Sequence, residues 1–236
     1  MINEYVVLDL EMTGLSAKTD QIIEIGAVKI KDNQVIETME CLVNPKRKIP
    51  TRVVELTGIT DEMVQSGREK DEAIKELLNF IDGQIMVGQN VNFDYSFLKQ
   101  WAINHKRPLE VEACDTLKIA RALLPADQPK KLENLCQYFG IERCRAHRAL
   151  DDALETWQVF EKLKELSVTH ENGENYFLPR PLEYCAKKQS PVTPRQIQRL
   201  KEYRETHQIS DQINWENLTK SEASRIMDKY ILVYGR

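Results

Sequence analysis

The chain has 236 residues, 42% of them hydrophobic and 30% charged, enough for one well-cored domain plus a smaller one and ordinary for a globular protein. No stretch approaches the roughly 18 apolar residues a membrane span requires, and five cysteines without CxxC spacing argue against a disulfide framework or a zinc site and read as reduced thiols. Residues 1–185 carry 23 Lys+Arg against 31 Asp+Glu and residues 186–236 carry 10 against 6, so a body of net −8 precedes a basic tail of net +4; such a body fits poorly with bulk phosphate binding, and any nucleic-acid affinity there would need metals and local basic loops.

The amino terminus, MINEYVVLDLEM, has an acid at Glu4 and enters the first strand directly, without the basic and apolar segments of a signal peptide, so the expected compartment is the cytoplasm. Along this strand side chains alternate: Tyr5, Val7, Asp9 and Glu11 share one face, and Val6, Leu8, Leu10 and Met12 the other. An apolar strand thus turns acidic at its carboxyl end, where sites gather in α/β folds. Two like charges on a half-buried strand repel and resist desolvation unless a cation neutralises them, which points to a divalent metal. A strand end fraying into solvent is the competing reading of this pair alone.

QIIEIGAVKI and QVIETMECLV read as strands joined by a turn at Lys31-Asp32-Asn33, giving an antiparallel meander with the first strand. NPKRKIPTRVVELTGIT reads as a Pro-bounded loop leading to a helix near 70–81, where Ile74, Leu77, Leu78 and Ile81 follow helical spacing. QIMVGQN is a short strand, Phe93–Asn104 a helix and VEACDT another short strand. Helices over Leu117–Leu124, Leu132–Phe139 and Ala149–Leu166 complete an alternating pattern, and a mixed five-stranded sheet flanked by helices is expected. The expected domain spans residues 1–168. Residues 169–192, with three prolines and one glycine, read as a linker, and 193–236 as a small helical module. In that module Thr193 and Thr219 open capping boxes (TPRQ, TKSE), the second ahead of Ala223, Ile226, Met227 and Ile231.

Two further clusters bear on the acidic pair. In VGQNVNFDYSFL, Asp94 follows a short strand and enters an apolar helix, from which its carboxylate can project toward the first strand's acidic end. In AHRALDDALETW, His147 and Asp152 stand five apart, a separation that a helical turn with an irregular entry brings to one side. Neutral His can take a proton from water, and three or more carboxylates can hold two divalent ions across a phosphodiester. Each alone has a bland alternative: Asp94 as a helix N-cap, His147 as a loop histidine, Asp151 and Asp152 as first-turn charges.

Together Asp9-x-Glu11, Asn90-x-x-Phe93-Asp94 and His147-x-Ala149-x-x-Asp152 resemble the three motifs of the DEDDh 3′-5′ exonucleases, the DnaQ-like family of the proofreading epsilon subunit of bacterial replicative polymerase; Thr13-Gly14-Leu15 and the LTGIT segment add to the likeness over residues 4–166. The resemblance implies a ribonuclease-H-like α/β fold and two divalent cations, Mg²⁺ or Mn²⁺. Asp9, Glu11 and Asp152 would hold the first and Asp9 with Asp94 the second, while His147 activates the attacking water. It implies that Glu11, Met12, Thr13 and Leu15 line the terminal-nucleotide pocket, with Asn90 and Phe93 also on the substrate side. Its partners would be single-stranded DNA or RNA 3′ ends, with a polymerase or another replication or repair protein. The DLEMTGL form of the first motif is the one usual in oligoribonucleases, whereas NVNFD and LTGIT match the polymerase-associated branch, so DNA and RNA both stand as substrates. A binding subunit that keeps the fold without catalysis is a further reading, disfavoured by the intact acids and histidine. Arg143, Arg145 and Arg148 near His147, and Lys46, Arg47 and Lys48 in one loop, read as surface charge or as phosphate contacts.

Overall fold

Strand β1 (Glu4–Met12) runs through the centre of the sheet and is covered on both faces, which is why its apolar residues do not alternate with exposed ones. It pairs antiparallel with β2 (Ile22–Lys31), which pairs antiparallel with β3 (Gln34–Asn44). The connecting residues Asp32 and Asn33 both have positive φ, +49° and +58°, as a two-residue hairpin turn requires and as Asp and Asn tolerate. On its other side β1 pairs parallel with β5 (Met86–Gly88), and β5 parallel with β6 (Glu112–Asp115). The five expected strands are extended at the two edges by two-residue strands, β4 (Arg68–Glu69) and β7 (Arg180–Pro181), giving the order β4-β3-β2-β1-β5-β6-β7. This computed structural model describes residues 1–185, 190–215 and 218–235.

The stretch expected to lead as a loop to the helix near 70–81 instead holds two short helices, α1 (Thr51–Thr57) and α2 (Asp61–Gln65). Val53 and Val64 pack with Ile23, Ile49 and Ile59 in a small core of their own. Gly58, at φ +70°, closes α1 in the left-handed conformation, and Thr60 caps α2. Seven and five residues are too few to show a helical repeat in sequence.

The longer helices are α3 (Lys70–Phe80), α4 (Asn92–Asn104), α5 (Thr116–Leu123), α6 (Leu132–Phe139) and α7 (Ala149–Ser167). They sort by the face of β1 they cover. Val6, Leu8, Leu10 and Met12 pack with Ile74 and Leu77 of α3 and with Phe97, Leu98 and Trp101 of α4. Tyr5 and Val7 pack with Ile119 of α5, Leu135 of α6, and Phe160 and Leu163 of α7. Asp9 and Glu11 continue the second face, so the acidic end of β1 looks toward α7.

Two compact units divide the chain, Met1–Ala186 and Lys187–Arg236. The segment expected as a linker differs in its first part. A 3-10 turn at Gly173–Phe177 buries Phe177 in the α7-side core, and β7 pairs with β6, so these residues belong to the first unit. The middle of that linker, residues 186–189, lies outside the described residues. The second unit holds α8 (Pro194–Thr206) and α9 (Lys220–Tyr234), each opened by a complete capping box at Thr193 and Thr219. Leu200, Leu218, Ala223, Met227 and Tyr230 form its core.

Candidate active site

Three elements of the first unit converge at the carboxyl end of β1. Asp94 is the third residue of α4, whose N-cap is Val91, so Asp94 is not the N-cap residue of its helix. It is 4% exposed, and its Oδ1 accepts a hydrogen bond from the Leu10 backbone amide at 3.1 Å, which ties α4 to β1 between Asp9 and Glu11. Asp152 lies in the first turn of α7, and a ligand atom from each of Glu11, His147 and Asp152 lies within 4.8 Å of the others. His147 itself stands just outside α7 in the left-handed region, φ +60°, an uncommon conformation for a residue with a Cβ. That irregular entry brings a histidine five residues before Asp152 onto the side of the same carboxylate.

The electrostatics of the cluster are those of carboxylates held together without enough counter-charge. Burial, then the neighbouring Asp94 and Glu11, hold Asp9 well above the usual carboxylate range. Burial and the charges of Asp152 and Glu24 push Glu11 up to about 8. Burial pushes Asp94 to about 8 against the opposing pull of its backbone hydrogen bonds. Asp152 is raised by burial, with the Arg143 guanidinium pulling the other way. Oxygen donors of this kind, crowded and partly desolvated, fit hard divalent cations. A cation restores the charged form that burial disfavours.

The basic residues around His147 are tied down by acids. Arg143 reaches Asp152 at 2.7 Å and Glu155 at 2.6 Å, Arg145 reaches Asp151 at 2.7 Å, and Arg148 holds Glu24. The expectation of ordinary surface charge therefore does not describe Arg143 and Arg148, which are structural cations within the cluster. In the other basic loop Lys46 pairs with Glu69, and Arg47 donates to the Thr19 carbonyl.

The residues expected on the substrate side divide. Met12 is packed in the α3–α4 core, and Thr13 is buried with its hydroxyl accepting from the Gln21 amide, so both shape the turn after β1 from beneath. Leu15, three residues past the end of β1, is 77% exposed. Asn90 is exposed at φ +62°, its amide donating to Asp115, and Phe93 is half-buried, edge-on to Phe97.

Two residues of β2 were missed from sequence. Glu24 lies directly opposite Glu11 and Gly26 directly opposite Asp9. A Cβ on Gly26 would lie 2.1 Å from the Ala149 carbonyl carbon, so the entry of α7 rests against bare backbone there. A signal for Glu24 was available: one acid inside the run Ile22-Ile23-Glu24-Ile25 must find a partner if the strand is buried.

The family model for exonucleases, RNase_T, matches residues 6–160. The chain belongs to the exonuclease family. Among the curated relatives of this exonuclease, the PolC-type DNA polymerase III of Thermotoga petrophila is 41% identical over 174 residues, covering 70% of the chain, and that of Bacillus subtilis is 39% identical over 177 residues, covering 73%. The chain spans 12% of the length of each. Among solved structures, exonuclease X in complex with 5′-overhanging duplex DNA superposes with a TM-score of 0.56 at 23% identity, covering 72% of this chain and 96% of that one. The nuclease domain of 3′hExo, a DEDDh family member bound to rAMP, superposes at 0.60 and 18% identity, covering 69% and 92%. These structural likenesses establish the ribonuclease-H-like nuclease fold of the exonuclease. Members of its DEDDh branch depend on divalent metals. Among the described residues no helix is long and apolar enough to cross a membrane.

Proposed function

We propose that the chain hydrolyses the terminal phosphodiester at free 3′ ends of single-stranded or frayed DNA, releasing nucleoside 5′-monophosphates. The observation that carries this reading is the meeting of Glu11, His147 and Asp152 within 4.8 Å at the end of β1, beside an Asp94 anchored to that strand's backbone. Asp9, Glu11, Asp94 and Asp152 would hold two divalent cations, Mg²⁺ or Mn²⁺, which when bound neutralise charge growing on the phosphate and leaving oxygens. His147, in its neutral form, accepts the proton of the attacking water at a ring nitrogen. Leu15, exposed three residues past the end of β1, would give the terminal base an apolar surface. The PolC-type relatives favour DNA and a polymerase or other replication or repair protein as partner. The DLEMTGL form of the first motif supports RNA as the second reading.

The test is a gel of 5′-labelled single-stranded DNA, duplex DNA, RNA and a dinucleotide incubated with Mg²⁺, Mn²⁺ or EDTA. A ladder shortening from the 3′ end of DNA, lost in EDTA, is expected. Cleavage confined to RNA would move the assignment to the second reading, and no product from any substrate would leave the binding subunit. His147→Ala should lower the rate by about 10²–10⁴-fold while the protein still melts cooperatively. A variant cleaving at the wild-type rate removes His147 from the role of base.

A further inference from the structure

The entry of α7 has a gap in its own chemistry. Its N-cap is Arg148, whose side chain makes no capping bond to the helix, so the first helical amides need acceptors from elsewhere. Glu24, fully buried on β2 and 124 residues away from Arg148 in the chain, supplies one. Its Oε2 accepts from the Ala149 amide at 2.8 Å, and its Oε1 accepts from Nε and a terminal nitrogen of Arg148 at 2.9 and 2.6 Å. Both oxygens are thereby committed to three N–H donors. Arg148 also reaches Glu40 at 3.5 Å, so its guanidinium is pinned between two acids of β2 and β3.

These two residues follow His147 directly. His147 holds a left-handed backbone, a conformation that persists where surrounding structure enforces it. On the carboxyl side the two residues that follow it are held by Glu24, and Gly26, two residues along β2, lets the helix entry rest against bare backbone beside them. Although Glu24 faces Glu11 across the strands, its oxygens are spent on Arg148 and Ala149, which sets it apart from the carboxylates free to take a metal.

We propose that Glu24 is a positioning residue for the reaction: through Arg148 and the Ala149 amide it holds the His147 ring over the acidic cluster. The proposal rests on the nuclease reading above. Glu24 makes no contact with substrate or water in this role, and its removal should act only while His147 is present to be misplaced.

The experiment is a double-mutant cycle on the full chain, with Glu24→Gln and His147→Ala alone and combined, read as steady-state cleavage of 5′-labelled single-stranded DNA at saturating Mg²⁺. Glu24→Gln keeps one acceptor but cannot serve all three donors. It should lower kcat by about 10–100-fold with KM and the Mg²⁺ midpoint within about twofold, and should cost nothing further in the His147→Ala background. On metal-free protein, amide exchange over residues 147–149 should quicken about tenfold while the β1 amides keep their protection. Where Glu24→Gln fails to fold, Arg148→Lys, which retains the charge but not the two-nitrogen grip, should show the same coupling at about tenfold. Equal losses with and without His147, a raised Mg²⁺ requirement, or an unchanged kcat overturns the positioning role. Absence of cleavage by the wild type defeats the nuclease reading itself, whereas a cleaving wild type with additive variants defeats only this inference.

Discussion

At the scale of single residues, the site is a balance between burial and charge, and protons can measure it. Glu11 and Asp94 titrate near 8 in the folded chain, far above the ordinary 4.5 and 3.8, and Asp9 is raised as well. A carboxyl whose folded value is raised contributes stability below its unfolded value and loses it as pH rises through the folded value. Metal-free protein should therefore lose stability from about pH 3.8, the ordinary value of Asp94, up to about pH 8 on account of these groups. Divalent cations compete with the same protons, so the rise in Tm on adding Mg²⁺ should be larger at pH 8 than at pH 5. Equal increments at both pH values in a melting experiment would argue against a metal on these carboxylates. Asp9→Asn makes the complementary case: removing one buried charge from the cluster should raise the metal-free Tm at pH 8 while abolishing cleavage and shrinking the Mg²⁺-induced rise. Function here opposes stability at the same atoms.

At the scale of elements, the strand β2 sets where α7 can lie, and at Gly26 the two meet backbone to backbone. Gly26→Ala would place a methyl 2.1 Å from the Ala149 carbonyl carbon, inside backbone rather than against a movable side chain. An overpacking cost of about 1–3 kcal/mol or more in chemical denaturation is expected, together with loss of cleavage as His147 and Asp152 move off β1. Gly58→Ala is the control: nothing lies within 4 Å of its added Cβ, so it should cost about 1 kcal/mol through its φ of +70° and leave kcat unchanged. The same contrast explains what could be read from sequence. The meander, the Asp32-Asn33 turn and the helices α3 to α7 follow from local periodicity and turn chemistry, and the acids of β1 were visible because alternation fixes their face. Helices α1 and α2 were hidden because they are too short to repeat. The link from Glu24 to Arg148 was hidden for a deeper reason: the apolar run around Glu24 says that this acid needs a partner, but only the sheet register and the approach at Gly26 make Arg148 that partner. His147 was found as a motif residue, but its left-handed backbone has no local signature.

At the scale of the whole molecule, all of the candidate active-site side chains lie in the first unit, whose net charge is opposite in sign to that of the tail. The 51 residues from 186 onward carry a net +4 against −8 for the rest, and among the described residues the second unit's core is built on a few buried side chains, among them Leu200, Met227 and Tyr230. A unit of this size buries too little apolar surface for high stability by itself, whereas the first unit has extensive cores on both faces of its sheet. Heating the full chain should therefore give two calorimetric transitions, the smaller at lower temperature, with near-ultraviolet absorption of Tyr230 in the smaller one. Within that unit burial and its bond to Asp211 raise the Tyr230 hydroxyl to about 12, so the neutral phenol stabilises the fold below pH 10 and that contribution is lost as pH rises through about 12. A chain ending at residue 185 should keep the kcat of the full protein on short single strands, because no catalytic group is removed. On long strands its KM should respond less steeply to salt, since each phosphate neutralised by Lys or Arg adds to the slope by about 0.7. Parallel salt dependences for the two chains would mean that the basic tail makes no contact with the substrate backbone, and a fall in kcat on short strands would mean that the first unit does not complete the site alone.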